Sequence, residues 1–361
     1  MYPRLLRGDG SKLPSGKRNR VLRSPKRLYR RYGPARATSW FPARAGATLY
    51  GCGEHGATRR QARTMNTMKH HSHALPVQTA GAYIEKQAAR IRKEAGRVRR
   101  GDADGIHDMR VASRRLRVAL RAVRPAIGDA GKPLVEQVAT ITKALGHARE
   151  LDVMLIMMRS YRQESSGLWQ RSAAHAIGEL EQVREEAAAG CVEALGVLAG
   201  SAFADGLAAV TIALKAHDAD YLPPIGAELE KRFRKARTVY RDWRELDRAE
   251  DLHRCRIALK KLRYATEFFA PAYDKRMTRY AETIKEAQDL LGDWHDAEVL
   301  IDALRRIAVY APYSEVQGFP LIIESFQHWG GAKAEAFHAW AKEFFAEASR
   351  KAFLAYCTEG E

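Results

Sequence analysis

The chain has 361 residues, with 61 Lys plus Arg against 43 Asp plus Glu, a net charge of +18, and 46% hydrophobic side chains. That is enough for one large domain or two ordinary ones. Cys52, Cys191, Cys255 and Cys357 lie far apart with no CxxC pair, which argues against a disulfide framework or structural zinc site and makes a reducing cytoplasm the default compartment. The most hydrophobic stretch, Leu195 to Leu214, is interrupted by Asp205, and the start lacks an apolar run before a small-residue cleavage site, so neither a membrane span nor a secretory signal is expected.

Residues 1 to about 75 are rich in Arg, Gly, Pro and Ser, lack sustained periodicity and end in Lys69-His70-His71-Ser72-His73. They read as a disordered basic tail. This segment holds 17 Lys plus Arg and only two acids, Asp9 and Glu54, whereas residues 76 to 361 hold 44 basic and 41 acidic side chains. The folded part is therefore almost neutral, and any anion site in it must come from local arrangement of charge. The tail reads as a solvated extension, or as leader upstream of Met65 or Met68, more readily than as a functional polyanion arm. The histidine run is not expected to hold a physiological metal.

From Pro76 onward the texture is Ala, Leu, Glu, Arg and Lys with short Gly or Pro punctuation, which predicts an all-α protein. Helices are expected over about 76–100, 104–127, 132–160, 168–198, 201–216, 225–245, 248–270, 274–309 and 319–356. Leu222-Pro223-Pro224 is the expected boundary between two halves, 76–222 and 225–356.

An internal repeat supports that division. Ile106 to Arg117 aligns without a gap on Leu252 to Arg263, an offset of 146 residues, and the same offset brings Leu145-Gly146 onto Leu291-Gly292 and Asp152-Val153-Met154 onto Glu298-Val299-Leu300. A shared register across two helices and their loop is hard to obtain by accident. Each half then reads as a bundle of about four helices.

At about 100° per residue, His107, Arg110, Arg114, Arg117 and Arg121 fall on one stripe, nearly opposite an apolar face of Met109, Ala112, Leu116, Ala119, Leu120 and Val123. The second copy places His253, Arg256, Lys260 and Arg263 at the same angles, with Glu267 in place of Arg121, and Arg115 and Lys261 flank the stripes. Like charges at these spacings repel. Either acids on neighbouring helices, with Glu150, Asp152, Asp296 and Glu298 the candidates, or an external polyanion must offset that repulsion. Arg offers a planar fork matched to phosphate oxygens and Lys a compact charge, so such a row can track a chain of phosphates. Further basic rows occur at Lys86, Arg90, Lys93 and Arg97, and at Arg234, Arg237, Arg241 and Arg244. Gly146 and Gly292 are expected to permit close helix approach. Arg149 and Asp152 could pair on one face, with His295 and Asp296 in the corresponding segment of the second copy, the acids orienting the basic rows rather than performing chemistry.

From about Pro76 to Phe353 the chain resembles the CHAD family, the conserved histidine α-helical domain. The likeness rests on His107-x-x-Arg110-Val111-x-x-Arg114-Arg115-Leu116-Arg117 with Leu145-Gly146-x-x-Arg149-Glu150-x-Asp152-Val153, and on the second set from His253 to Arg263 with Leu291-Gly292-x-x-His295-Asp296. The resemblance implies two four-helix bundles related by a pseudo-twofold, with basic surfaces meeting at a central cavity or pore. It further implies binding of inorganic polyphosphate, often on granules, without an established catalytic activity of the domain itself, and no cofactor is expected. Carried over, His107, Arg110, Arg114, Arg115, Arg117, His253, Arg256, Lys260, Lys261 and Arg263 become the ligand set, to which the stripe adds Arg121. Glu150 and His295 depart from the family's usual Asp and polar amide. No triphosphatase signature accompanies the domain, because Glu228-Leu229-Glu230-Lys231-Arg232 sits in a helical pattern.

Two other classes compete. A metal-assisted phosphohydrolase would use the histidines with Asp152, Asp296 or Glu298, but HExxH, P-loop and Gly-rich phosphate motifs are lacking. Nucleic-acid binding would be limited to unspecific backbone contact, because aromatics are nearly absent from the first stripe.

Overall fold

The computed structural model describes residues 75–217 and 226–358, so the tail, its histidine run, Cys52 and the Leu222-Pro223-Pro224 boundary lie outside the described residues. Every extended element described is a helix, as the composition predicts. The order is α1 Val77–Arg99, α2 Ala103–Ala122, α3 Arg124–Ile127, α4 Lys132–Glu164, α5 Leu168–Ala194, α6 Ala202–Lys215, α7 Gly226–Leu246, α8 Ala249–Phe269, α9 Lys275–Tyr310, α10 Tyr313–Val316, α11 Phe319–Phe344 and α12 Glu347–Thr358.

Two expected helices divide. The span 104–127 breaks after Ala122, with Pro125 in the first turn of α3, where its fixed φ and missing N–H are tolerated. The span 319–356 breaks between Phe344 and Glu347, so that α12 turns back onto α7 and stacks Phe353 on Phe233 with ring centroids 4.9 Å apart. Burial of aromatic area there outweighs continuation of one helix. Periodicity alone carries no signal for that turn.

Local chemistry fixes the helix starts. The Asp102 carboxylate accepts the Gly105 N–H at 2.9 Å to cap α2, and Asp274 accepts the Arg276 N–H at 2.7 Å to cap α9. Gly101 turns the chain between α1 and α2 with φ +73°, and a Cβ on Gly105 would stand 2.5 Å from Arg97 Cβ, so both glycines are needed for that tight corner.

Packing repeats along the chain. α1 packs on α2, α2 on α4 and α4 on α5; α7 packs on α8, α8 on α9 and α9 on α11. α2 opens at Ala103 and α8 at Ala249, and α4 ends at Glu164 where α9 ends at Tyr310, each pair 146 apart. In the preceding helices the core positions match at 145, as Ile84 with Leu229, Ala88 with Phe233, Ile91 with Ala236 and Val98 with Trp243. The loop explains the step: three residues separate α1 from α2 and two separate α7 from α8. The two sets meet where α2 packs against α8 and α4 against α9.

Candidate functional site

The apolar face of α2 is fully buried, with Met109, Ala112, Leu116 and Ala119 at 0% exposure. Because side chains recur every 3.6 residues, burying that face fixes where the charged stripe points. In α8 the buried residues Cys255, Ala258, Leu259 and Leu262 do the same. Since α2 packs on α8, the two charged stripes share one region.

Arg110 and Arg114 from α2 and Arg256 and Lys260 from α8 form a single cationic cluster. Desolvation, reinforced by Arg114 and Arg256 and opposed by Glu150, pushes the Arg110 guanidinium down to about 10. Arg256 is lowered, first by desolvation, with Asp296 and Glu150 opposing and Arg114 reinforcing. Lys260 is pushed down to about 6 by desolvation and by Arg256, Arg114 and Arg110, with Asp296 the opposing charge. Burial pushes the Asp296 carboxyl up to about 6 even though Arg256, Lys260 and Arg110 favour its ionised form. His295 is held at about 3 by desolvation and the neighbouring Arg256, and its ring lies 5.1 Å from that of His253, which is also lowered.

The donors in this cluster are not consumed by the fold. The buried Nε atoms of Arg110 and Arg256 have no hydrogen-bond partner, and neither do those of half-buried Arg117 and of Arg263, the last of which stands within ion-pair distance of Glu267 but without hydrogen-bond geometry. Among the described residues, no carboxylate lies within ion-pair distance of Arg110, Arg114, Arg256 or Lys260; Glu150 and Asp296 act on them only through space. Unpaired buried donors of this kind are costly in a ligand-free protein.

The remaining sequence-selected residues divide. Arg115 donates to Glu267 at 3.2 Å, and Arg263 Nε lies 3.1 Å from the other oxygen of that carboxylate. Both are thus internally paired, by the acid that replaces Arg121 in the second copy. Lys261 and Arg121 are exposed at the margin, as is His107, whose surroundings include Arg149. Asp152 does not pair with Arg149. It is buried and accepts from Arg184 Nε of α5 at 2.6 Å, while Arg184 also donates to the Gly101 carbonyl at 3.0 Å. Asp152 therefore ties α4 to α5 and to the α1–α2 corner rather than orienting the basic row. Arg184 lies outside the repeated motifs, and no sequence signal marked it. Of the four candidate acids, Glu150 and Asp296 face the cluster, whereas the Glu298 carboxyl is raised by partial desolvation and by Asp302, with Arg305 opposing, and none of the cluster's cations acts on it.

Gly146 and Gly292 do not mark close helix contacts. A Cβ at either would meet nothing within 4 Å. Each lies one turn before the site face, three and four residues ahead of Arg149 and Glu150 or of His295 and Asp296. In the row Lys86, Arg90, Lys93 and Arg97 two of the four cations are paired within the fold, Arg97 with Glu94 and Asp102, and Arg90 with Asp108 at 3.4 Å. Among the described residues, no group of three or more His, Cys, Asp or Glu is placed to hold a metal ion. No single described helix is long and apolar enough to cross a membrane.

The chain is similar in fold to two solved structures. PptA from Streptomyces chartreusis is 17% identical with a TM-score of 0.55, the match covering 73% of this chain and 98% of that one. The crystal structure of the CHAD domain from the plant Ricinus communis is 22% identical with a TM-score of 0.53, covering 84% of this chain and 97% of that one. No curated protein matches. The CHAD domain family model matches residues 82–305, from within α1 into α9 and across both charged stripes. The chain belongs to the CHAD domain family.

Proposed function

We propose that this protein binds inorganic polyphosphate without turning it over, gripping consecutive phosphates with Arg110, Arg114, Arg256 and Lys260. The CHAD family is a family of polyphosphate-binding domains, and that supports the ligand class. The observation that carries the reading is the pair of buried, unpartnered Nε atoms on Arg110 and Arg256, one from each set of helices. A chain of phosphates supplies closely spaced acceptors that no single carboxylate of the fold provides. His107, Arg117, Arg121, His253 and Lys261 extend the track outward. Arg115 and Arg263 would join only on release from Glu267. The reading takes residues 76–222 and 225–356 as two repeats of one binding unit, and extends to association with polyphosphate granules.

Anisotropy titration of labelled long-chain polyphosphate tests it. The Arg110→Gln/Arg256→Gln double variant should bind about 100-fold more weakly, since two charge-assisted contacts of roughly 1.5 kcal/mol each are lost. Its helicity should not change, because removing mutually repelling buried charges does not harm the fold. Unchanged affinity would overturn the assignment. Shortening of the chains by pure protein with Mg²⁺ would replace binding with hydrolysis.

A further inference from the structure

A second basic concavity lies outside the central cluster. Arg234, Arg237, Arg241 and Arg244 of α7, with Lys342 of α11 and Arg350 of α12, line a cavity of about 570 Å³. That volume falls in the range of small-ligand sites. No residue of α2, α4, α8 or α9 lines it.

Its charge is incompletely compensated. Arg234 donates to Glu230 at 3.0 Å, Arg350 and Arg237 share Glu347 at 3.0 and 3.6 Å, and Arg241 stands 3.9 Å from Glu245. The Arg237–Glu347 and Arg241–Glu245 pairs are long and solvent-exposed, the kind that yields readily to a stronger acceptor, whereas Arg234 and Arg350 each grip their carboxylate with two guanidinium nitrogens. Arg244 and Lys342 are exposed and have no ion pair or hydrogen bond among the described residues. Six cations therefore face three carboxylates, converging from three helices.

The aromatic wall narrows the ligand class. The Tyr240 ring is stacked on Phe345 and on His338, at interplanar angles of 29° and 28°, and its hydroxyl bonds His338 Nδ1 at 2.9 Å. Phe345 is itself buried. Neither ring offers a face to a nucleobase, so recognition falls to the cations. In α1 the equivalents, 145 positions earlier, are Ala89, Arg92, Gly96 and Arg99, so the four-arginine row exists only in the second set of helices.

We propose that the cavity between α7, α11 and α12 is a second, separate site for a multiply phosphorylated anion without an aromatic base. The choice of phosphate rests on the proposed function; the anion site does not.

Calorimetric titration with tripolyphosphate tests it, using wild type, Arg244→Glu/Lys342→Glu, Arg114→Glu/Lys260→Glu and all four changes combined, each checked by circular dichroism. Arg244 and Lys342 are exposed, so reversing them should leave the fold intact. Wild type should bind two equivalents, each double variant one, and the combination none. Inositol hexakisphosphate in parallel distinguishes a ring-borne phosphate source from a linear one, and loss of either ligand in the α7/α11 variant supports the site. Unchanged stoichiometry in that variant overturns it, as does ATP binding there tenfold more tightly than tripolyphosphate. Failure of the central reading has a different signature: the Arg114/Lys260 variant would keep long-chain affinity while the α7/α11 variant lost it.

Discussion

Arg115 of α2 donates to Glu267 of α8 at 3.2 Å, 152 residues away in the chain, and the same carboxylate lies 3.1 Å from Arg263. The pairing is asymmetric, because Glu267 stands where the first copy has Arg121. One acid thus holds two cations of the stripes and joins the two sets of helices. Glu267→Gln should cost about 1–2 kcal/mol, between the values for exposed and buried pairs, while tightening polyphosphate binding several-fold by releasing two arginines. Thermal melts and anisotropy titrations should move in opposite directions; a loss of both would mean that Glu267 positions the ligand cations.

Polyphosphate affinity should fall as pH rises from about 5 to 8. Lys260, faced by Arg110 and Arg114 of α2, Arg256 of its own helix and Asp296 of α9, sits at about 6 and loses its charge through this window. Asp296, also near 6, gains one. Both changes oppose an anion, so binding above pH 6 should take up protons, visible as buffer-dependent heats. For stability, the depressed Lys260 acts with the opposite sign: the unfolded chain binds more protons between about 6 and 10.5, so stability rises with pH there. Lys260→Arg should flatten the binding profile.

Binding should be strongly salt-dependent. By analogy with single-stranded nucleic acid, about five phosphate contacts give a log-log slope near −3.5, and each cation removed should lower its magnitude by about 0.7. Neutralising Arg114 and Lys260 together should bring it to about −2. A slope unaltered by that change would place the contacts elsewhere.

Gly146→Ala and Gly292→Ala should each stabilise the fold by about 0.5–1 kcal/mol, because a helix-interior glycine is entropically costly and the added methyl meets nothing within 4 Å. Denaturant midpoints should rise. A fall would reveal a close approach at these glycines.

Asp152→Asn should be among the most damaging single changes, costing about 3 kcal/mol by leaving Arg184 buried without its charge partner. Polyphosphate affinity of the folded variant should match wild type. Selective loss of binding would return Asp152 to the site.

The helices, the 146-residue register and the two basic stripes were legible in the sequence because each is local: a period of 3.6 residues sorts apolar from charged positions whatever the helix later packs against. The break before α12 was not legible, since Phe344, Phe345 and Ala346 contain no helix breaker and the turn exists to seat Phe353 on Phe233. Gly146 and Gly292 were visible as an irregularity, but whether a neighbouring helix filled the gap depended on the packing.

By itself the sequence determined which side chains could form a cationic face. The tertiary structure decided which of those cations stay unsatisfied. Glu267 neutralises Arg115 and Arg263, Arg184 draws Asp152 away, and Arg110 and Arg256 are left with buried donors and no acceptor. The reason is physical: a charge's partner is set by distances of a few ångströms between helices tens to hundreds of residues apart, and only packing fixes those distances.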